Sequence, residues 1–364
     1  MGFFSQVGKQ AGKQAVKRSN LQGSATPPKP KIPRAAIQEK ARRIAEERGL
    51  IQRDPQSRQV ASDKAFYEPS GEAQQLKREY QKEYGLPTDR PPRISSLDTQ
   101  KSRRIGDAFE EMEHRPQDPE VIDSYNQLAH ESLMQYQKLL DSGVEFEYWR
   151  GRGEPYRSSQ EMVDDVVNNR RLKVLATEGN FGQDAITPEQ LAENPLLAKT
   201  KYIDPETGRP LLVNDVFRAV HDYFGHASEG TGFGSIGEEG AWATHMKMFT
   251  PLAQKALTTE TRGQNSWVNF GRQMRRPDGT IPQTGDPDYI HPKDRPFGEQ
   301  KIGLLPEEFT QDEYFQLWND PDFRNKAKQV GFVGATAYFA GAPEEADAPV
   351  GGGTVLREDD GYNF

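Results

Sequence analysis

Apolar positions recur with a helical period over most of the chain and alternate only in short runs. Residues 118–141 carry Leu128, Leu133, Tyr136, Leu139 and Leu140 along one side, the stripe of a packed helix. Residues 214–224 set Val216, Phe217 and Val220 on a second apolar face, with Asn214 as the expected cap. More polar helical patterns cover 34–49, 71–84, 98–114, 158–170, 237–249, the stretch from Pro251 towards Glu260, 310–318 and 320–329. Ser158-x-x-Glu161 reads as a capping box, and Thr187-Pro188 and Thr250-Pro251 place proline at a first helical position. Strand patterns are few: an alternation from Val144 to Arg150 and a short apolar run at 172–177. Residues 204–210 read as a turn, 271–300 as a long Pro/Gly/Asp loop, and the prolines at 87–92 bar both helix and central strand. The expected fold is mainly α with a few short β-strands (α+β), a helical catalytic-type domain.

Charge divides the chain. Residues 1–58 hold 13 Lys/Arg against 4 Asp/Glu, so a net charge of −8 leaves −17 for the rest. The expected organisation is a basic, largely extended arm with short helices over 1–95, a globular metal-binding domain over 96–340, and a flexible acidic tail over 341–364. A basic arm on an acidic body points to nucleic acid or other acidic surfaces as partners of residues 1–58. No apolar run reaches the roughly 18 residues of a membrane span, and the apolar start is too short for a secretory signal. A protein that is neither secreted nor membrane-spanning is expected.

The chain has no cysteine, which excludes disulfides and thiolate metal sites. Any metal must be held by His, Asp, Glu, carbonyls or water, a set that suits iron, manganese or zinc. Four of the six histidines lie between 221 and 291, and the densest phrase is His221-Asp222-Tyr223-Phe224-Gly225-His226. Residues five apart differ by about 140° on an ideal α-helix, so the pair shares a metal only if the helix widens or ends between them. Gly225 permits either. A 2-His-1-carboxylate site needs one more carboxylate and leaves positions open for oxygen and substrate. The candidates are Glu229, Glu238, Glu239 and Glu260; Glu260 would reach the pair from a helix folded back on 214–224.

The phrase resembles the His-(Glu/Asp)-x-x-Gly-His motif of the aromatic amino acid hydroxylases, over about residues 210–262. The resemblance implies non-heme Fe(II) bound by His221 and His226, Glu260 as third ligand, and Asp222 as the acidic residue behind them. It also implies a monooxygenase acting on a small organic substrate. The chain departs from the family after the second histidine, where Ala227-Ser228 replaces Pro-Leu, and its pterin-binding and amino-acid-binding residues have no match. The resemblance therefore does not bring a pterin with it. A broader stretch, from Glu147 through residues 214–234 and 258–271 to Pro306, resembles an uncharacterised family of tailed phages and bacteria. That implies a phage-encoded protein of the host cytoplasm or the virion, with other virion proteins as partners of the arm.

Around the motif, Asp222, Glu238 and Glu239 are the expected acid–base groups. His245 lies seven residues after Glu238, on the same helix face, and is a possible additional ligand. Arg262, Asn265 and Trp267 are the expected substrate contacts, with Arg262 as a carboxylate or phosphate clamp and Trp267 as a stacking wall. The glycines of 229–240 follow a helix and lack the lysine of a P-loop, so they read as a lid. Two rival readings stand beside the oxygenase. One is a hydrolase using the same ligands with zinc or manganese. The other is a structural or DNA-associated virion protein.

Overall fold

The computed structural model describes residues 66–310, apart from 91–92, 152–153, 179 and 182–185. The basic segment 1–58, the helix expected at 34–49, the helices expected beyond Thr310 and the acidic tail 341–364 lie outside the described residues. The architecture is mainly α-helical, with a few short strands in two small sheets. No helix among the described residues is long and apolar enough to cross a membrane.

Three helices come first: α1 (Gly71–Glu83), α2 (Thr99–Glu111) and α3 (Pro119–Asp141). Each starts where a side chain satisfies free backbone N–H groups. Ser70 accepts from Ala73 N, Asp98 from Gln100 and Lys101, and Asp118 from Glu120 and Val121. α3 is the central element. Val121, Tyr125, Leu128, Leu133, Tyr136 and Leu139 are all buried, and the helix packs against α6 (Val213–Val220) and α8 (Pro251–Thr258). Ala73, Leu76 and Tyr80 of α1 enter the same core, so the compact body includes residues before 96, the start expected for the globular domain.

β1 (Glu145–Trp149) pairs in parallel with β2 (Arg171–Leu175), and α4 (Ser159–Asn169) makes the crossover. Ser158 caps α4, as its spacing predicts, but the Glu161 carboxylate returns to Arg157 N rather than to the cap itself. The short helix α5 (Pro188–Glu193) begins with a full capping box between Thr187 and Gln190. The turn expected at 204–210 joins two strands that the sequence does not reveal, β3 (Lys199–Ile203) and β4 (Pro210–Leu212). Asp204 accepts from Glu206 N and Thr207 Oγ1 there, and Gly208 adopts φ +68°.

Two boundaries differ from expectation. Asn214 does not cap α6. Asp215 Oδ2 accepts from Leu212 N at 2.9 Å, while Asn214 bonds Thr177 Oγ1. The third helix of the site region also does not stop near Glu260. α8 runs through a π turn (Thr259–Gly263) into α9 (Gln264–Phe270). Its polar side chains bond along the helix, Gln264 to Glu260 and Asn269 to Asn265, so a polar stretch here needs no loop. A smaller apolar cluster of Ile105, Phe109, Leu305 and Phe309 lies beneath α9, with Trp267 packed against it.

Candidate metal centre

α6 passes straight into another π turn, His221–Ala227, which precedes Thr259–Gly263 in the chain. Ser228 N donates to Tyr223 O at 3.1 Å, a bond spanning five residues. In that wider winding, residues five apart come much closer to one face than in an α-helix. The two rings, which an ideal α-helix would splay by about 140°, meet with centroids 5.1 Å apart and planes at 90°. Such turns are rare and frequently fall at functional sites. Gly225 makes this one possible. A Cβ there would stand 3.3 Å from Ala241 Cβ and from His221 Nδ1, so its absence admits both the neighbouring helix and the imidazole.

Thr231 locks the turn. Its N–H donates to His226 O and its hydroxyl to Gly225 O, each at 3.1 Å. Its carbonyl lies 3.2 Å from His226 Nδ1. A carbonyl only accepts, so His226 Nδ1 carries a proton, and Nε2 is the nitrogen free to bind a metal.

The third member comes from α7 (Ser235–Met246), packed on the π turn. The loop leading into it folds tightly on its first turn: a Cβ on Gly237 would fall 1.8 Å from Gly232 O. Glu238, in the first turn of α7, places Oε2 3.5 Å from His226 Nε2 and 3.8 Å from His221 Nε2. One ligand atom from each of His221, His226 and Glu238 lies within 4.8 Å of the other two. Metal–ligand bonds near 2.1 Å set neighbouring donors roughly 3.0–3.5 Å apart, so the three groups would draw together around an ion. Two imidazole nitrogens and one carboxylate oxygen form a donor set that fits iron, manganese or zinc.

The electrostatics match. Burial opposes ionisation of Glu238, but the facing His226 and His221 outweigh it and hold the carboxyl down at about 2. Burial likewise opposes a charge on His226; Glu238, Asp222 and the Thr231 carbonyl raise it to about 9. A metal ion would replace the proton at Nε2. Asp222 is pushed above the ordinary carboxylate range by burial, against the pull of His226 and His221. Its carboxylate forms no hydrogen bond or ion pair closer than 4 Å among the described residues. The side chains of His221, His226 and Glu238 are 11%, 1% and 30% exposed, so the group is reachable from the Glu238 side. The half-exposed ring of Phe233 stands edge-on to His226 there.

No family model, curated protein or solved structure matches the chain. The chemistry rests on the site itself.

The structure corrects the third ligand. Glu260 is not part of the group. Its carboxylate accepts from Tyr125 Oη at 2.5 Å and from Gln264 Nε2 at 2.8 Å, on the second π turn. Burial raises it to about 7 against those two bonds. Glu239 and Arg262 are spent on each other. They form a buried two-point pair, Arg262 also donates to Phe309 O at 2.8 Å, and its guanidinium lies 3.9 Å over the Trp242 ring. A guanidinium so held does not serve as a substrate clamp, nor its partner as a general base. Asn265 ties α9 to the start of α7 through Ser235 O. Trp267 donates to Glu110 on α2 and packs on the smaller cluster. The expected substrate trio is therefore structural. Glu229, also weighed as a ligand, pairs with Lys77 and Arg90.

His245 is buried beside the site without joining the three ligands; its Nδ1 lies 3.3 Å from His221 Nδ1. Burial, with His221 and His226 nearby, holds its protonation well below the ordinary range. Gln135 and Thr231, which support the two histidines, were not singled out from sequence. The signal for Gln135 was a polar residue inside the apolar stripe of α3. A cavity of about 380 Å³ lies behind Thr231, between Phe66, Arg90, Arg93 and Thr244.

Proposed function

We propose that the protein is a mononuclear metal enzyme of the 2-His-1-carboxylate type, with ferrous iron held by His221, His226 and Glu238, and that its reaction is hydroxylation of a small organic substrate by dioxygen with an external two-electron donor as co-substrate, one oxygen atom entering the product and the other leaving as water. The observation that carries this reading is the convergence of two Nε2 atoms and one carboxylate oxygen in a partly open site. Iron so held supplies oxygen activation, because three protein ligands leave the remaining positions to oxygen and substrate. The chain's own residues do the rest. Thr231 fixes the His226 ring, and Glu238 supplies the negative charge that a divalent cation needs. Asp222 offers an unpaired carboxylate to accept or return a proton, and Phe233 provides an apolar wall for substrate at the Glu238 side.

The same unpaired Asp222 favours a second reading, hydrolysis with zinc or manganese. Asp222 would then be the general base towards water activated by the metal, whose bound form ionises near pH 7. Elemental analysis and oxygen uptake separate the two. Protein from iron-supplemented cells is expected to carry one iron per chain, and His221→Ala to carry none. Phosphoester or amide cleavage with zinc, without oxygen uptake, would select the hydrolase. Wild-type protein that retains no divalent metal would end both readings.

A further inference from the structure

The back of His221 is held by a chain of buried polar groups that ends at a backbone carbonyl. Gln135 Nε2 donates to Met248 O at 3.2 Å. Gln135 Oε1 lies 2.8 Å from His245 Nε2. His245 Nδ1 lies 3.3 Å from His221 Nδ1. Gln135 and His245 are both fully buried. The rings of Phe217, nearly parallel at 12°, and Phe249, edge-on at 68°, fix the His245 plane.

Only one direction of donation satisfies every link in a neutral chain. The Met248 carbonyl can only accept, so the Gln135 amide must turn its NH₂ towards it. That leaves Gln135 Oε1 facing His245, which accepts only if His245 Nε2 carries a proton. A neutral imidazole with its proton on Nε2 has a lone pair on Nδ1. His221 Nδ1 must then be the donor, and its lone pair lies on Nε2, the atom that faces Glu238. The competing arrangement puts the His221 proton on Nε2, as a hydrogen bond to Glu238. At 3.8 Å that contact is beyond hydrogen-bond reach.

We infer that Gln135 and His245 are positioning residues: with the Met248 carbonyl they form a relay that fixes the tautomer and ring orientation of His221, aiming its Nε2 lone pair at the metal. This rests on the metal reading of the site and deepens it. The two ligand histidines are thus held by unlike devices. His226 is held by the backbone carbonyl of Thr231, five residues further along the chain, whereas His221 is held through two side chains, His245 of α7 and Gln135 of α3.

The test uses the full chain labelled with ¹⁵N-histidine. Long-range ¹H–¹⁵N correlation of the metal-free protein reads each tautomer directly. The expected result is a proton on Nε2 and a bare Nδ1 in His245, with a proton on Nδ1 in His221. A proton on His245 Nδ1, or on Nε2 of His221 alone, overturns the relay. Zinc affinity supplies the second readout, by competition with a chromophoric chelator. His245→Leu removes the acceptor and is expected to weaken zinc by about 10–100-fold, the usual effect of losing a group that orients a ligand. His245→Asn places an amide oxygen close to the lost Nδ1 and is expected to recover most of that loss. Equal zinc affinity in His245→Leu and wild type overturns the proposal; if that variant does not fold, the wild-type tautomers still decide. Expected tautomers in a protein that binds no metal would uphold the relay and sink the metal reading. Reversed tautomers in a protein that binds zinc tightly would do the opposite.

Discussion

Among the described residues there are two π turns, and they put similar residues to different uses. The first, His221–Ala227, carries two histidines and Gly225; the second, Thr259–Gly263, carries Glu260, Arg262 and Gly263. In the first, side chains converge with ligand atoms turned towards one another and towards Glu238. In the second, each polar side chain finds a protein partner: Glu260 has Tyr125 and Gln264, and Arg262 has Glu239. The two carboxylates move in opposite directions as a result. Glu238 is held at about 2 by imidazoles that outweigh its burial, while burial raises Glu260 to about 7 despite its two donors. Widening a helix is therefore not enough to make a site. What distinguishes the first turn is a set of donors left facing a common point.

The sharpest break of this comparison is a pair of carboxylate deletions. Glu238→Ala is expected to weaken zinc or ferrous iron by more than about 100-fold, beyond the 10–100-fold typical of groups behind the ligands. Glu260→Ala is expected to leave affinity within about threefold, since its carboxylate lies outside the group. Chelator competition on both variants checks this, and the reverse ranking would return the third ligand to Glu260.

The next effect is on stability against pH. A carboxyl raised on folding keeps its proton in the native state where the unfolded chain has already lost it. Between the ordinary value of 4.5 and about 7, the unfolded state therefore binds fewer protons, and stability falls as pH rises. Glu260 and Glu131, which burial also raises to about 7, both act in this window. Each is expected to contribute a loss of roughly 2–3 kcal/mol. His130 and His245, which burial holds low, act in the opposite direction over part of this range, so the Glu260 part is read as a difference. Urea unfolding of metal-free wild type and Glu260→Gln at pH 5 and pH 7.5 should show wild type losing more stability, or gaining less, than the variant as pH rises. Equal pH dependence in the two proteins would contradict it.

Smaller effects come from the two glycines. A Cβ on Gly263 would stand 2.9 Å from Leu305 Cδ1 and Phe109 Cδ2, so Gly263→Ala should cost about 1–3 kcal/mol of stability through overpacking, with metal affinity unchanged. A Cβ on Gly225 meets its neighbours at 3.3 Å, one of them His221 Nδ1. Gly225→Ala should therefore displace the ring slightly and weaken metal about tenfold, with little change in unfolding midpoint. If Gly225→Ala changes only stability, the first turn is no more specialised than the second.

Much of the fold was legible in the residues. The stripe on α3, the proline-led starts of α5 and α8, and the Ser158 cap of α4 all lie where local rules put them, because periodicity and capping are properties of neighbouring residues. The β3–β4 hairpin was not, since its strands span only five and three residues and lack a sustained alternation. The continuation of α8 into α9 was hidden because Thr261, Gln264 and Asn269 look like loop residues until their bonds along the helix are seen.

By itself, the sequence determined that any metal must be held by nitrogen and oxygen, that His221 and His226 are its natural pair, and that the helix must loosen at Gly225 for them to meet. Tertiary structure alone decided which carboxylate completes the group. Glu238 lies 12 residues beyond His226 and Glu260 lies 34 beyond, and neither spacing tells which way its helix is turned. That rotation is set by close packing: α7 settles against the π turn where Gly225 and Ala241 leave room, and Tyr125 of α3 claims Glu260 first. Convergence of three atoms on one point depends on contacts between elements distant in the chain, which no local pattern encodes.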